Sequence, residues 1–227
     1  ALFATVMSLA VKVSRIKQNP CEDTEILKIP VNTHIRVFIE ILIIVILTHL
    51  KENLLKYLHV HFYYIVLLAL AIGMREGEIC ALQWEDIKGN KVHICHSMMM
   101  GTHGNILSTT KTTTSNRIIS VDADVLNSLR CLNDGNKFVF HSRTGSKYGT
   151  AAIRMSWGRL IKRLGISLSF HGLRHTHATQ LLSHNIDVNE VAKRLGHSNL
   201  NITKVYAHFL PSKDEEAARV IGSIVKV

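Results

Sequence analysis

Apolar positions recur at helical spacing over residues 3–18, where Val6, Leu9, Ala10 and Val13 share one face. Asn19-Pro20 then stops the pattern, because proline disfavours helical geometry in the residue before it. A linker to about Pro30 is expected to follow. From Val37 to Leu50 only Glu40, Thr48 and His49 interrupt the apolar run, so the helix expected there has no obvious solvent-facing side. His61 to Ala71 predicts a buried helix, and another opens near Arg75 and runs through GEICALQW. Three β-prone stretches come next, around Val92–Cys95, Ile106–Thr109 and Arg117–Val121, separated by Gly101, Gly104 and the polar run Lys111–Asn116. They predict a small antiparallel sheet. Beyond Asp122 the helical period returns over roughly 123–131, 150–164, 171–184, 188–195, 199–208 and 213–225. Asp187 and Glu190 form a D-x-x-E capping box, flanked by Ile186 and Val191 in staple positions, and Gly196 ends the helix they start. The expected fold is α+β and mainly α-helical, with one small three-stranded antiparallel sheet.

Composition narrows the partner. The 227 residues are 47% apolar, enough for one good core and a small appendage. Lys and Arg outnumber Asp and Glu by 27 to 17, a formal charge of +10, which points to a polyanion such as DNA, RNA or an anionic membrane surface. The longest apolar stretches, Ile41–Leu47 and Phe62–Ile72, fall well short of the roughly 18–20 residues that span a bilayer, so no membrane partner is expected. Cys21, Cys80, Cys95 and Cys131 form no CxxC pair, which argues against a zinc knuckle or a disulfide framework and fits a reducing cytoplasm. No basic, apolar secretory leader is visible.

Chemistry concentrates in the last third of the chain. In HGLRH, His171, Arg174 and His175 stand at i, i+3 and i+4 on one helix face, while Leu173 points towards the core. In isolation such a stripe is usually just the surface of a basic protein. Tyr206 lies nine residues after His197, on the flank of an apolar stripe of Ile202, Val205 and Phe209. A tyrosine there is most often a core-edge residue, and with an ordinary pKa near ~10 it becomes a nucleophile only where cations lower the cost of its phenolate. Far upstream, Arg75 opens a helix with Glu78 at i+3, while Gly73 and Gly77 signal close backbone approach. An exposed pair of that kind contributes roughly 0–1 kcal/mol. His171, His175 and His177 crowd one segment, but no Glu follows the first His as in HExxH and no thiol lies nearby, so no metal is expected.

GMREGEI, TKTTTSNRI, HGLRHTHAT and LGHSNLNITKVYAHF together resemble, in order and spacing from about residue 60 to 215, the catalytic domain of the tyrosine recombinases. The resemblance is closest to integrases of phages and conjugative transposons. Residues 1–29 resemble more weakly the last helix of that family's core-binding domain and its linker, so the implied division is 1–29 and a catalytic domain over 30–227. Residues 31–50 depart from the family, which usually has a polar-faced amphipathic helix there.

The resemblance implies that Arg75, Lys111, His171, Arg174 and His197 surround a scissile phosphate and that Tyr206 attacks it, with Glu78 and His175 in support. Two guanidinium forks suit the charge that builds on the non-bridging oxygens. His171 would take or share the phenolic proton, His197 would hydrogen-bond a phosphate oxygen, and Lys111, rather than Lys91, would protonate the departing 5′ oxygen. A 3′-phosphotyrosine conserves bond energy, so neither ATP, metal nor other cofactor is implied. The implied partners are double-stranded DNA, a homotetramer on paired sites, and accessory DNA-bending factors, in a bacterial cytoplasm near the nucleoid. A non-catalytic DNA-binding remnant and a type IB topoisomerase-like enzyme are the rival readings.

Overall fold

The computed structural model describes residues 31–52, 60–101, 104–109, 115–142 and 144–197. The expected helices at 3–18, 199–208 and 213–225, the 1–29 segment, Lys111 and Tyr206 lie outside the described residues.

Seven α-helices and five strands follow in order: α1 (Val31–Glu52), α2 (Val60–Ile72), α3 (Glu76–Ala81), β1 (Ile87–Lys88), β2 (Lys91–Ile94), β3 (His96–Gly101), β4 (Gly104–Thr109), β5 (Arg117–Ser120), α4 (Ala123–Leu129), α5 (Thr150–Leu164), α6 (Phe170–Ser183) and α7 (Val188–Leu195). The central helix is α2, apolar all round, which packs against α1, α3, α4 and α6. Its Ile65, Val66, Leu68 and Ile72 are fully buried. On α1, the unbroken aliphatic run resolves into a buried face of Leu42, Val45, Ile46 and Leu50, with Ile43 and Leu47 partly covered at its margin. The spacing of that face, i, i+3, i+4 and i+8, is helical, so uniform hydropathy concealed an ordinary one-sided contact.

The strands correct one expectation. Val92–Ile94 does pair with Arg117–Ser120, but the third strand of that sheet is Ile87–Lys88, giving the antiparallel order β1-β2-β5. The expected strand at Ile106–Thr109 joins a separate hairpin with His96–Gly101, in register from His96↔Thr109 to Gly101↔Gly104. HSMMMG carries neither β-branched residues nor strict alternation, so nothing in its pattern announces a strand. Helix α3 also ends sooner than expected. The Gln83 N–H donates to Asp86 Oδ2 at 3.0 Å, starting a 3₁₀ turn over Trp84–Asp86.

Two apolar clusters result. The larger runs from α1 through the three-stranded sheet to Phe140, α5 and the start of α6, where Trp157 meets Phe170 edge-on at 5.5 Å and donates to the Leu168 carbonyl at 2.7 Å. The smaller joins α6 to α7 through Ala178, Leu182, Val191 and Leu195. Helix α7 is started by Asp187, whose carboxylate accepts from the Asn189 N–H at 2.8 Å, while Glu190 turns to Lys193 at 2.7 Å. Among the described residues no helix is long and apolar enough to cross a membrane.

A candidate anion site at the end of helix α7

Helix α7 closes with Gly196 in the left-handed region at φ 67°, where its N–H reaches the Lys193 carbonyl and the His197 N–H reaches that of Ala192 at 3.0 Å. This Schellman ending satisfies two terminal carbonyls and leaves those of Arg194, Leu195 and Gly196 without a helical donor. Each is taken by an arginine from elsewhere. Arg117 Nε donates to the Arg194 carbonyl at 2.8 Å, Arg174 Nη2 to that of Leu195 at 2.6 Å, and Arg75 Nη2 to that of Gly196 at 3.2 Å. The partial negative charge of a helix C-terminus favours this gathering of cations.

The glycine before Arg75 explains how the third partner gets close. Gly73 sits at φ +72°, and a Cβ there would meet His177 and Leu195 side-chain atoms at 2.7 Å. Its carbonyl accepts from Nη1 of the buried Arg174 at 2.7 Å. Arg174 therefore bridges the loop ahead of α3 to the end of α7.

Glu78 is more than the exposed partner that i+3 spacing suggests. It is only 3% exposed and accepts four hydrogen bonds: Arg75 N and Nη1 at 2.8 Å each, and Arg117 Nη1 and Nη2 at 3.0 Å each. Burial pushes its carboxyl pKa up, but the hydrogen bonds and charge of Arg117, then those of Arg75, outweigh that and hold it below the ordinary value.

Sequence reasoning missed Arg117 and Arg194, and weighed His177 only as a metal ligand. For Arg117 a signal exists, since RIIS alternates and puts Arg117 on the same inward face as Ile119. Arg194 Nε donates to His177 Nε2 at 3.2 Å, so the imidazole carries its proton on Nδ1, which lies 2.7 Å from the Leu70 carbonyl. Burial, then the Arg194 charge, drives the His177 pKa down to about 4. His177 therefore belongs to the scaffold and faces away from the His171–His175 pair, whose rings meet edge-on at 4.6 Å.

His171, His175 and His197 complete the group. All three imidazoles lie below the usual value, in each case through burial first and then the neighbouring positive charge. For His197 those charges are Arg174, Arg75 and Arg117, with His171 behind them, and its pKa falls to about 4. All three side chains are thus neutral at pH 7, able to accept a proton on one ring nitrogen and donate from the other. Arg75 and His171 open onto a cleft of about 560 Å³ walled by Gly77, Thr150, Arg154 and the β3 residues Ser97–Met100.

The structure thus brings together Arg75, Glu78, His171, Arg174, His175 and His197 from the expected set. Lys91, the lysine set aside in favour of Lys111, is exposed on β2. Among the described residues one trio has the donor types and spacing of a metal site. Asp86, Cys95 and His96 have ligand atoms within 4.8 Å of one another, with Cys95 Sγ 3.1 Å from His96 Nδ1. It lines a small pocket together with Glu78.

The result is a mainly helical domain with a small antiparallel sheet that gathers arginines and histidines at one helix end. It superposes on the Tn1549 transposon integrase in complex with circular intermediate DNA with a TM-score of 0.66 at 18% identity, over 94% of this chain and 75% of that one. Against XerA recombinase the TM-score is 0.52 at 23% identity, over 73% and 56% of the two chains. Residues 44–213 match the phage integrase family. The chain belongs to that family.

Curated relatives agree. A XerC-like tyrosine recombinase of Caldanaerobacter subterraneus subsp. tengcongensis is 27% identical over 256 residues, covering 97% of this chain and 63% of the relative. Transposase A from transposon Tn554 of Staphylococcus aureus is 32% identical over 153 residues, covering 63% and 42%. This chain spans less than two thirds of the length of either relative.

Proposed function

We propose that this chain carries the strand-cleaving centre of a site-specific DNA recombinase, an integrase that breaks and rejoins double-stranded DNA through a 3′-phosphotyrosine. The observation that supports this most is the convergence of Arg75 and Arg174 on the helix end that carries His197, with His171 beside them. Such a surplus of fixed positive charge, assembled before any anion arrives, is what a developing phosphorane needs.

Arg75 and Arg174 bind the non-bridging oxygens, and neutral His197 donates its N–H to one of them. The Tyr206 hydroxyl oxygen attacks phosphorus and passes its proton to His171, whose lowered pKa keeps it a free base. The bond from phosphorus to the 5′ oxygen breaks, and Lys111 supplies the proton that this oxygen takes up. Resealing runs the same steps in reverse on a new 5′ hydroxyl, with no ATP and no metal. Residues 30–227 form the catalytic unit and 1–29 the end of a DNA-clamping domain. Protomers act as a homotetramer on paired sites with accessory DNA-bending proteins, in the cytoplasm at the nucleoid.

The test is a nicked suicide duplex resolved on a denaturing gel. A covalent adduct that vanishes in Tyr206→Phe is expected. No adduct from the unaltered chain would leave a DNA-binding remnant, and relaxation of supercoils without site preference would make it topoisomerase-like. A 5′-bridging sulfur should rescue Lys111→Ala, because a thiolate leaves without a proton, and failure of rescue would move the acid elsewhere. Binding should weaken steeply with salt through counterion release.

A further inference from the structure

Arg117 does not line the cleft, yet its guanidinium makes four hydrogen bonds to three residues, Glu78, Ser115 and Arg194. Nε holds the Arg194 carbonyl at 2.8 Å, and Nη1 and Nη2 grip the two oxygens of Glu78 at 3.0 Å each. Nη1 also reaches the Ser115 carbonyl at 3.1 Å. Its side chain is 6% exposed and that of Glu78 only 2%. One planar fork therefore ties β5 to the carboxylate that holds Arg75 and to the helix end that carries His197.

We propose that Arg117 is a positioning residue for the anion site: through Glu78 it fixes Arg75, and through the Arg194 carbonyl it fixes the turn from which His197 projects. The argument rests on geometry. Glu78 accepts from both arginines at once, so the angle at which Arg75 leaves the start of α3 is set jointly with Arg117. The Arg194 carbonyl lies three residues before His197, inside the left-handed ending that aims it. A lysine keeps the charge but offers one nitrogen where three are in use, so it cannot hold Glu78 bidentately and reach Arg194 together. Displacements of about an ångström in groups that bind a transition state lower rates by ~10²-fold while leaving ground-state affinity largely intact.

The inference rests on the recombinase reading, and its test separates the two. In single-turnover cleavage of the suicide duplex at saturating DNA, Arg117→Lys is expected to be slower by ~10²-fold, with DNA affinity changed by less than about threefold and circular dichroism unchanged. A cleavage rate equal to that of the unaltered chain would overturn the proposal. So would a loss that disappears on cooling well below the variant's melting temperature, the mark of a stability effect alone. A second readout needs no catalysis. The His197 imidazole, observed by NMR without DNA, is expected to titrate nearer the ordinary ~6.5 in Arg117→Met than in the parent chain. An unmoved titration would show that Arg117 does not act on His197. If the parent forms no adduct, the recombinase reading fails, and this titration still decides whether Arg117 sets the site.

Discussion

Helices α2 and α7 are held in place by different physics. Around the middle of α2 the packing is apolar, with Ile65, Val66, Leu68 and Ile72 fully buried, and directed bonds gather at its end, where His177 and Arg194 reach the Leu70 and Ala71 carbonyls. Helix α7 buries only Val191, Ala192 and Leu195, yet its end receives directed bonds from Arg75, Arg117 and Arg174, while its own Arg194 reaches the carbonyls of Ser120 and Ala71. Apolar packing is non-directional and tolerates small shifts, whereas a guanidinium on a carbonyl fixes distance and angle. The molecule uses burial to make the domain stable and hydrogen bonds to make one corner of it exact in position.

Four substitutions or conditions probe that contrast. The largest effect is expected from Arg174→Ala, which removes both the bridge to Gly73 and Leu195 and one of the two forks proposed to bind phosphate. Adduct formation should drop by ~10³–10⁵-fold, and a drop under tenfold would mean that this corner is scaffold alone. Leu68→Ala, in the centre of α2, should instead lower unfolding free energy by about 2–5 kcal/mol, read from denaturant midpoints, with the adduct rate of the folded fraction preserved.

Acid should loosen the α6–α7 corner before the core. His177 has a folded pKa of about 4 against an unfolded value of 6.5, so the folded state binds fewer protons between those limits. Its contribution, about 3 kcal/mol at 1.36 kcal/mol per unit, is complete above pH 6.5 and fades as pH falls towards 4. His197 acts in the same direction. Hydrogen exchange at pH 5 should show protection lost in α7 ahead of α2, and equal losses would break the comparison. The smallest effect belongs to Lys193→Ala. Solvent screens its exposed pair with Glu190 on the outer face of α7, so the denaturant midpoint should stay within error of the parent's.

How legible each region was follows from the same distinction. Periodicity finds helices that bury a face, so α5 and α7 could be read from the chain, α2 showed as an unbroken apolar run, and family motifs supplied Arg75, His171, Arg174 and His197. The β3–β4 hairpin escaped because His96–Gly101 carries three methionines in place of β-branched residues. For Arg117 the alternation of RIIS could have given the inward face but not what it meets there. Its value lies in carbonyls and a carboxylate supplied from 39 and 77 positions away, and no local pattern encodes such partners.

The end of α7 draws its donors from the start of α3, from β5 and from α6, across sequence gaps of 121, 77 and 21 residues. During synthesis Arg75 and Arg117 emerge long before the carbonyls they will hold. A nascent or partly unfolded chain thus has its basic side chains scattered and no assembled anion site. Quality control is built into the geometry: the cluster of arginines exists only in a finished domain.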